Sequence, residues 1–181
     1  MSAEILWLES VDSTNSEAKR RIAELETMYV IAAECQTAGR GQNGNKWFSE
    51  SSRSLTFSLV IKDLCLKAWE QAIISESTAQ AVVDTLTSYG IDAMIKWPND
   101  IYCGEKKICG ILIENSLMGE HIKWSIIGIG LNVNNINFPT NLPNPTSMAL
   151  CTGCVYQIKE VLDRLIEKLT CNLSNARFDY R

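Results

Sequence analysis

The segment from Lys96 to Gly110, KWPNDIYCGEKKICG, limits the fold more than any other stretch, because it encodes a strand, a stiff polar turn, a tight reversal and a returning strand. Pro98 disfavours helical backbone at Trp97, and Asn99 and Asp100 can bond the turn backbone with their own side chains. The Gly104-Glu105 pair then reverses the chain. Lys106 and Lys107 open a strand that runs on through Ile108, Cys109, Gly110, Ile111, Leu112 and Ile113, and its period of two sends the adjacent lysines to opposite faces. Both faces beyond Ile108 are apolar, so parity does not choose the inward lysine, and a hairpin with both ammonium groups in water is equally compatible. An inward lysine, partly stripped of water, would pair strongly with a carboxylate or phosphate. Gly110 has no side chain and would let a ligand approach the backbone.

The rest of the chain surrounds this hairpin with further strands and a few helices. Ile5 to Leu8 reads as a short strand, Met28 to Cys35 as a mostly buried one, and Ser54 to Lys62 as an alternating one. A second hairpin through Met118-Gly119-Glu120 joins Ile108–Asn115 to Ile122–Val133. Helical spacing runs from Ser16 to about Glu26. It recurs from Ala68 to Tyr89, on Trp69, Ala72, Ile73, Ala79, Val82, Val83 and Leu86, with Gly90 placed to end it. A last apolar stripe on Ile158, Val161, Leu162, Leu165, Ile166, Leu169 and Leu173 packs a final helix on the sheet. Two hairpins, without regular strand-helix alternation, predict an α/β (α+β) fold with a mixed sheet flanked by helices.

Three further stretches carry candidate chemistry. Ser13, Thr14 and Asn15 stand where a helix begins, and Thr14 with Glu17 has capping-box spacing; the trio can cap the helix, bind a polar ligand, or do both. Gln36 enters TAGRGQNGNKW, where Gly39, Gly41 and Gly44 fall within six residues. Such glycines permit backbone N–H groups to converge on an anion, with Arg40 and Lys46 adding charge and Trp47 anchoring the far end. The loop is neither a Walker A motif nor a dinucleotide fingerprint. Gly128 and Gly130 interrupt a strand that ends at Asn132, which suggests close approach by a ligand or a neighbouring backbone.

Composition excludes several classes. With 181 residues and 46% hydrophobic content the chain suits one domain, and its net charge of −4 argues against a nucleic-acid partner held by a broad basic surface. The absence of a run of about 18 apolar residues, with acidic residues at the start, argues against a membrane span or a secretory leader. Seven cysteines, an odd number, fit reduced and buried thiols, and so a cytoplasmic protein. Cys151 and Cys154 form a C-x-x-C, yet there is no second such pair, and the one histidine, His121, reads as an exposed hairpin residue.

Ser13-Thr14-Asn15, Gln36 followed by TAGRG, Lys96-Trp97-Pro98-Asn99-Asp100, Lys107 before Cys109-Gly110-Ile111, Gly128-Ile129-Gly130-Leu131-Asn132 and Thr146-Ser147-Met148 resemble, in type and order, the catalytic domain of biotin protein ligases. The resemblance covers nearly the whole chain. It implies a largely antiparallel mixed sheet and a two-step reaction: biotin and ATP, with Mg2+, give biotinyl-AMP, and a lysine of a biotin carboxyl carrier protein then takes the biotin. That carrier would belong to acetyl-CoA carboxylase or a related carboxylase. Under this resemblance Lys107 and Arg40 are the catalytic cations. Ser13, Thr14, Asn15 and Gln36 contact biotin, while Gly39, Arg40, Gly41 and Gln42 cover the ligand. Gly110 and Gly128 leave room for it, Trp47 packs near adenine, and Asn132 faces the nucleotide. Asp100 either orients the carrier lysine or caps its turn. No dedicated protein metal site is implied, and relatives often pair as homodimers. The chain departs from the pattern at Gln42, Asn43 and Asn45, where many relatives carry arginine. Many relatives also carry a helix-turn-helix ahead of this domain or a small β-barrel behind it, and the expectation here is a catalytic domain without either. A ligase for lipoate or another acyl cofactor, and a non-catalytic biotin-binding module, are the competing readings.

Overall fold

The structure, a computed structural model, describes residues 4–25 and 27–179. Its strands are β1 (Glu4–Val11), β2 (Met28–Gln36), β3 (Ser54–Lys62), β4 (Met94–Lys96), β5 (Asp100–Cys103), β6 (Lys106–Met118) and β7 (His121–Asn132). Its α-helices are α1 (Thr14–Arg21), α2 (Gln71–Ser88), α3 (Met148–Thr152) and α4 (Ile158–Asp179). The strands hydrogen-bond in the order β1-β2-β3-β7-β6-β5-β4, with β1 parallel to β2 and β2-β3, β4-β5 and β5-β6 antiparallel. The mixed, mostly antiparallel sheet with helices agrees with the expected class. The chain divides into two compact units, Met1–Gln71 with Ile111–Gly130, and Ala72–Gly110 with Leu131–Arg181.

In the first unit the parallel β1-β2 pair requires a crossover, and α1 supplies it. Ala18 of α1 packs on Ile31, Val60 and Ile126, with Leu8, Ile22, Leu25, Tyr29 and Trp124 around them. The helix starts two residues before the expected Ser16 and ends at Arg21; the expected end near Glu26 lies outside the described residues. No capping box forms at its start. Ser13 is the N-cap, and the Glu17 carboxylate bonds Arg20 and Arg21 instead, because arginines three and four residues on are its nearest strong donors.

Asp12 ties down the same helix start. Its Oδ1 accepts from the Ser13 N–H at 2.7 Å, and Arg20 bonds both carboxylate oxygens at 2.7 and 3.0 Å. The hydrogen bond from Arg20, followed by that from Ser13, lowers the Asp12 carboxyl from 3.8 to about 2. A depressed carboxyl pKa contributes stability above the unfolded value and loses it as pH falls through the folded one. Asp12→Asn is therefore expected to lower the denaturation midpoint at pH 6, with the gap to wild type closing between pH 3.8 and about 2. Denaturant titrations at stepped pH check this; a gap constant with pH would refute it.

In the second unit α2 is preceded by a 3-10 turn, Ala68–Glu70, that belongs to the first, so Trp69 is not the core residue expected of it. It is 63% exposed, with the Lys67 ammonium 4.7 Å from its ring. Ile73, Ala79, Val82 and Leu86 are buried as expected, and Gly90 ends the run with φ +76°. The α4 stripe Val161, Leu162, Leu165, Ile166, Leu169 and Leu173 is buried. The short helix α3 was not expected; Ser147 caps it by accepting from the Leu150 N–H at 3.1 Å. The expectation of buried thiols is corrected too. Only Cys109 is buried, while Cys65, Cys151, Cys154 and Cys171 are exposed, all seven being unbridged. Cys65 and Cys154 lie in irregular connecting segments and Cys151 and Cys171 on helices, with the Cys151 sulfur 3.7 Å from Thr146 Oγ1.

Candidate active site

Ser58 and Gly128 have the parity of the core residues Val60 and Ile126, so the sheet face beneath α1 carries a polar notch beside its apolar cluster. The first turn of α1 drops Thr14 and Asn15, each 3% exposed, into that notch. Ser58 Oγ donates to Asn15 Oδ1 at 2.6 Å and lies 2.8 Å from Thr14 Oγ1. Asn15 Nδ2 donates to the Leu112 carbonyl at 3.2 Å and to Glu114 Oε2 at 2.9 Å. Both partners only accept, so the amide orientation is determined by chemistry. Gln36 Oε1 accepts from the Thr14 N–H at 2.8 Å, which occupies one of the orphan donors of the helix start. A Cβ on Gly128 would sit 2.2 Å from Asn15 Oδ1, so the space this glycine leaves is filled by Asn15.

The glycine-rich loop is a small hairpin. Arg40 pairs with Lys46, the Gly41 N–H donates to the Asn45 carbonyl at 2.7 Å, and the Trp47 N–H donates to the Gly39 carbonyl at 2.9 Å. The two arms pass so closely that a Cβ on Gly39 would meet the Trp47 carbonyl oxygen at 2.6 Å. Its tip, Gln42–Gly44, holds Asn43 at φ 55° and Gly44 at φ 78°. Asparagine is the residue after glycine that best accepts left-handed backbone, which gives Asn43 a physical reason to stand in this turn. The N–H groups of Gly41, Asn45 and Trp47 bond loop carbonyls, so the expected backbone cradle is partly closed on itself. Trp47 folds back over Gly130, where a Cβ would lie 2.3 Å from the indole. Between the loop and β6 lies a cavity of about 410 Å³ lined by Gly39, Arg40, Gly41, Gly44, Lys46 and Glu114, among others. Arg40 reaches Glu114 Oε2 at 2.5 Å.

The second unit holds Lys107, Asp100, Gly110 and Asn132. A bulge between Ile101 and Tyr102 pairs Tyr102 with Lys107, whereas Asp100 pairs with Gly110. The bulge shifts the phase of the strand, so Lys107 and not Lys106 shares the Asp100 face; its ammonium lies 2.7 Å from Asp100 Oδ1. Lys106 is exposed. The Lys107 backbone is held on both sides, its N–H donating to the Asn144 carbonyl at 2.8 Å and its carbonyl accepting from the Thr146 N–H at 2.9 Å. Asn132, 4% exposed, donates to the Thr146 carbonyl at 2.9 Å and so braces the segment that holds Lys107.

Ten of the expected residues thus fall in the first unit: Ser13, Thr14, Asn15, Gln36, Gly39, Arg40, Gly41, Gln42, Trp47 and Gly128. Sequence reasoning missed Ser58 and Glu114. The signal for Glu114 was a carboxylate directly after the apolar run Ile108–Ile113, where a charge needs partners. No group of three or more His, Cys, Asp or Glu side chains able to hold a metal occurs among the described residues, and no helix there is long and apolar enough to cross a membrane.

This combination, a mixed sheet with a polar notch under the first helix and a Gly-Arg-Gly hairpin beside it, defines a class. Residues 7–132 match the Biotin/lipoate A/B protein ligase family, and the chain belongs to that family. It is 36% identical over 126 residues to the bifunctional ligase/repressor BirA of Escherichia coli, covering 68% of this chain and 38% of that protein. It is 34% identical over 129 residues to the biotin--[acetyl-CoA-carboxylase] ligase of Paracoccus denitrificans, covering 70% and 53%. Its fold superposes on the biotin protein ligase of Aquifex aeolicus in complex with biotin and ATP with a TM-score of 0.79 and 30% identity, over 94% of this chain and 70% of that one. The chain spans about 40% of the length of the BirA proteins it matches, 41% and 38% in the two enteric ones.

Proposed function

We propose that the chain activates biotin with ATP to biotinyl-5'-AMP and transfers the biotin to a lysine of a biotin carboxyl carrier protein. The observation that carries this reading is the network of buried Thr14, Asn15 and Ser58 with half-buried Gln36 beside the Arg40 loop, in a chain whose relatives include named biotin ligases. In the first step a biotin carboxylate oxygen attacks the α-phosphorus, a mixed anhydride forms and pyrophosphate leaves. Two anions must approach each other, and Lys107 supplies a cation that offsets their repulsion. Its contact with Asp100 holds the ammonium ready to exchange one oxyanion for another. Arg40 and Lys46 on the loop hold the ligand, and the loop keeps water from the anhydride. Ser13, Thr14, Asn15 and Gln36 match the polar ureido end of biotin, an assembly of donors and acceptors. Magnesium enters on the triphosphate.

In the second step the carrier lysine attacks the carbonyl as a neutral amine, and AMP leaves. Asp100, freed of Lys107, accepts or orients that amine. The test is transfer of labelled biotin to purified unbiotinylated carrier domain in the presence of ATP and Mg2+. Labelling with biotin and not with lipoate is expected. Labelling with lipoate in its place would convert the reading to an acyl-cofactor ligase of the other kind, and biotin binding without any labelling would leave a binding module.

A further inference from the structure

We propose that Glu114 is a positioning residue for the adenylation: it holds Arg40 at the wall of the loop cavity, and an anionic ligand has to win Arg40 from it. The inference rests on the activity proposed above for the identity of that anion. Leu112 and Glu114 lie two apart on β6, on one face, and both line the cavity. A single oxygen, Glu114 Oε2, serves both the Arg40 guanidinium at 2.5 Å and Asn15 Nδ2 at 2.9 Å. It therefore joins the loop that covers the ligand to the side chain placed for the ureido group. Among the charged residues lining the cavity, Arg40 and Lys46 are the cations and Glu114 is the carboxylate. Glu114 is thus the protein's own competitor for the cation that an incoming carboxylate or phosphate needs.

The Arg40 side chain is 44% exposed and that of Glu114 25%, so solvent weakens the pair, and the competition is modest enough for a ligand to win. The loop hydrogen bonds Gly41 N–H to Asn45 and Trp47 N–H to Gly39 lie on either side of Arg40 and report on its tether. Glutamine at position 114 keeps an oxygen for Asn15 and weakens the hold on Arg40 by removing the charge.

The experiment compares wild type, Glu114→Gln, Arg40→Gln and the double variant. Amide hydrogen exchange without added ligand is expected to be about three- to tenfold faster at Gly41 and Trp47 in either single variant, with no further gain in the double variant. Titration with biotin and with its uncharged methyl ester reads the competition. Glu114→Gln is expected to raise the affinity for biotin relative to the ester by about three- to tenfold. Exchange rates that do not change, or that rise additively in the double variant, overturn the tether. A biotin-to-ester ratio that does not move overturns the competition, whatever the exchange shows. If wild type binds neither compound, the proposed activity falls, and the exchange comparison, which uses no ligand, still decides whether Glu114 holds Arg40.

Discussion

Lys107→Ala is expected to slow biotinyl-AMP formation by about 100- to 1,000-fold, the loss seen when a preorganised group stabilising transition-state charge is removed. The variant is a clean one, because the backbone at this position is held through its own N–H and carbonyl by Asn144 and Thr146, bonds that an alanine keeps. What it loses is the ammonium beside Asp100. Lys107→Arg keeps the charge on a wider, planar group and is expected to recover part of the rate but not all of it. Single-turnover formation of labelled biotinyl-AMP measures both. An alanine variant as fast as wild type would refute the role given to Lys107.

Gly128→Ala is expected to damage the binding notch itself. The added Cβ would stand 2.2 Å from Asn15 Oδ1 and 2.9 Å from its Cγ. Asn15 cannot swing aside without giving up Ser58, the Leu112 carbonyl and Glu114. Overpacking of this kind costs about 1–3 kcal/mol of stability, and biotin affinity is expected to fall at least about tenfold as the amide loses its orientation. Asn15→Ala in the same chain removes the clash, so the double variant is expected to regain stability and not biotin affinity. Denaturant midpoints and calorimetry with biotin read the two effects apart. A single variant with both values unchanged would show that Asn15 is not held as described.

The sequence made local features legible and left distant pairings hidden. Strand β3 was legible to the residue in SLTFSLVIK, and the reversal at Gly104 follows from two strands flanking a glycine that adopts φ 57°. The choice between Lys106 and Lys107 was not legible, because a bulge at Ile101/Tyr102 changes the phase, and its cause is not written in residue alternation. Ser58 looked like the polar face of an ordinary strand. Its partners Thr14 and Asn15 are 44 and 43 residues away. Glu114 was hidden for the same reason, with Arg40 and Asn15 separated from it by 74 and 99 residues. The glycine loop was legible in composition, and its hairpin form was not. Its glycines permit the arms of a hairpin to touch at Gly39, and the N–H groups of Gly41, Asn45 and Trp47 bond within the loop.

Biotin-dependent exchange of labelled pyrophosphate into ATP tests the adenylation directly, since it occurs only if the mixed anhydride forms and reverts on the protein. Exchange that requires biotin and Mg2+ and is lost in Lys107→Ala is the predicted result. Saturable biotin binding with no exchange at any magnesium concentration would contradict it.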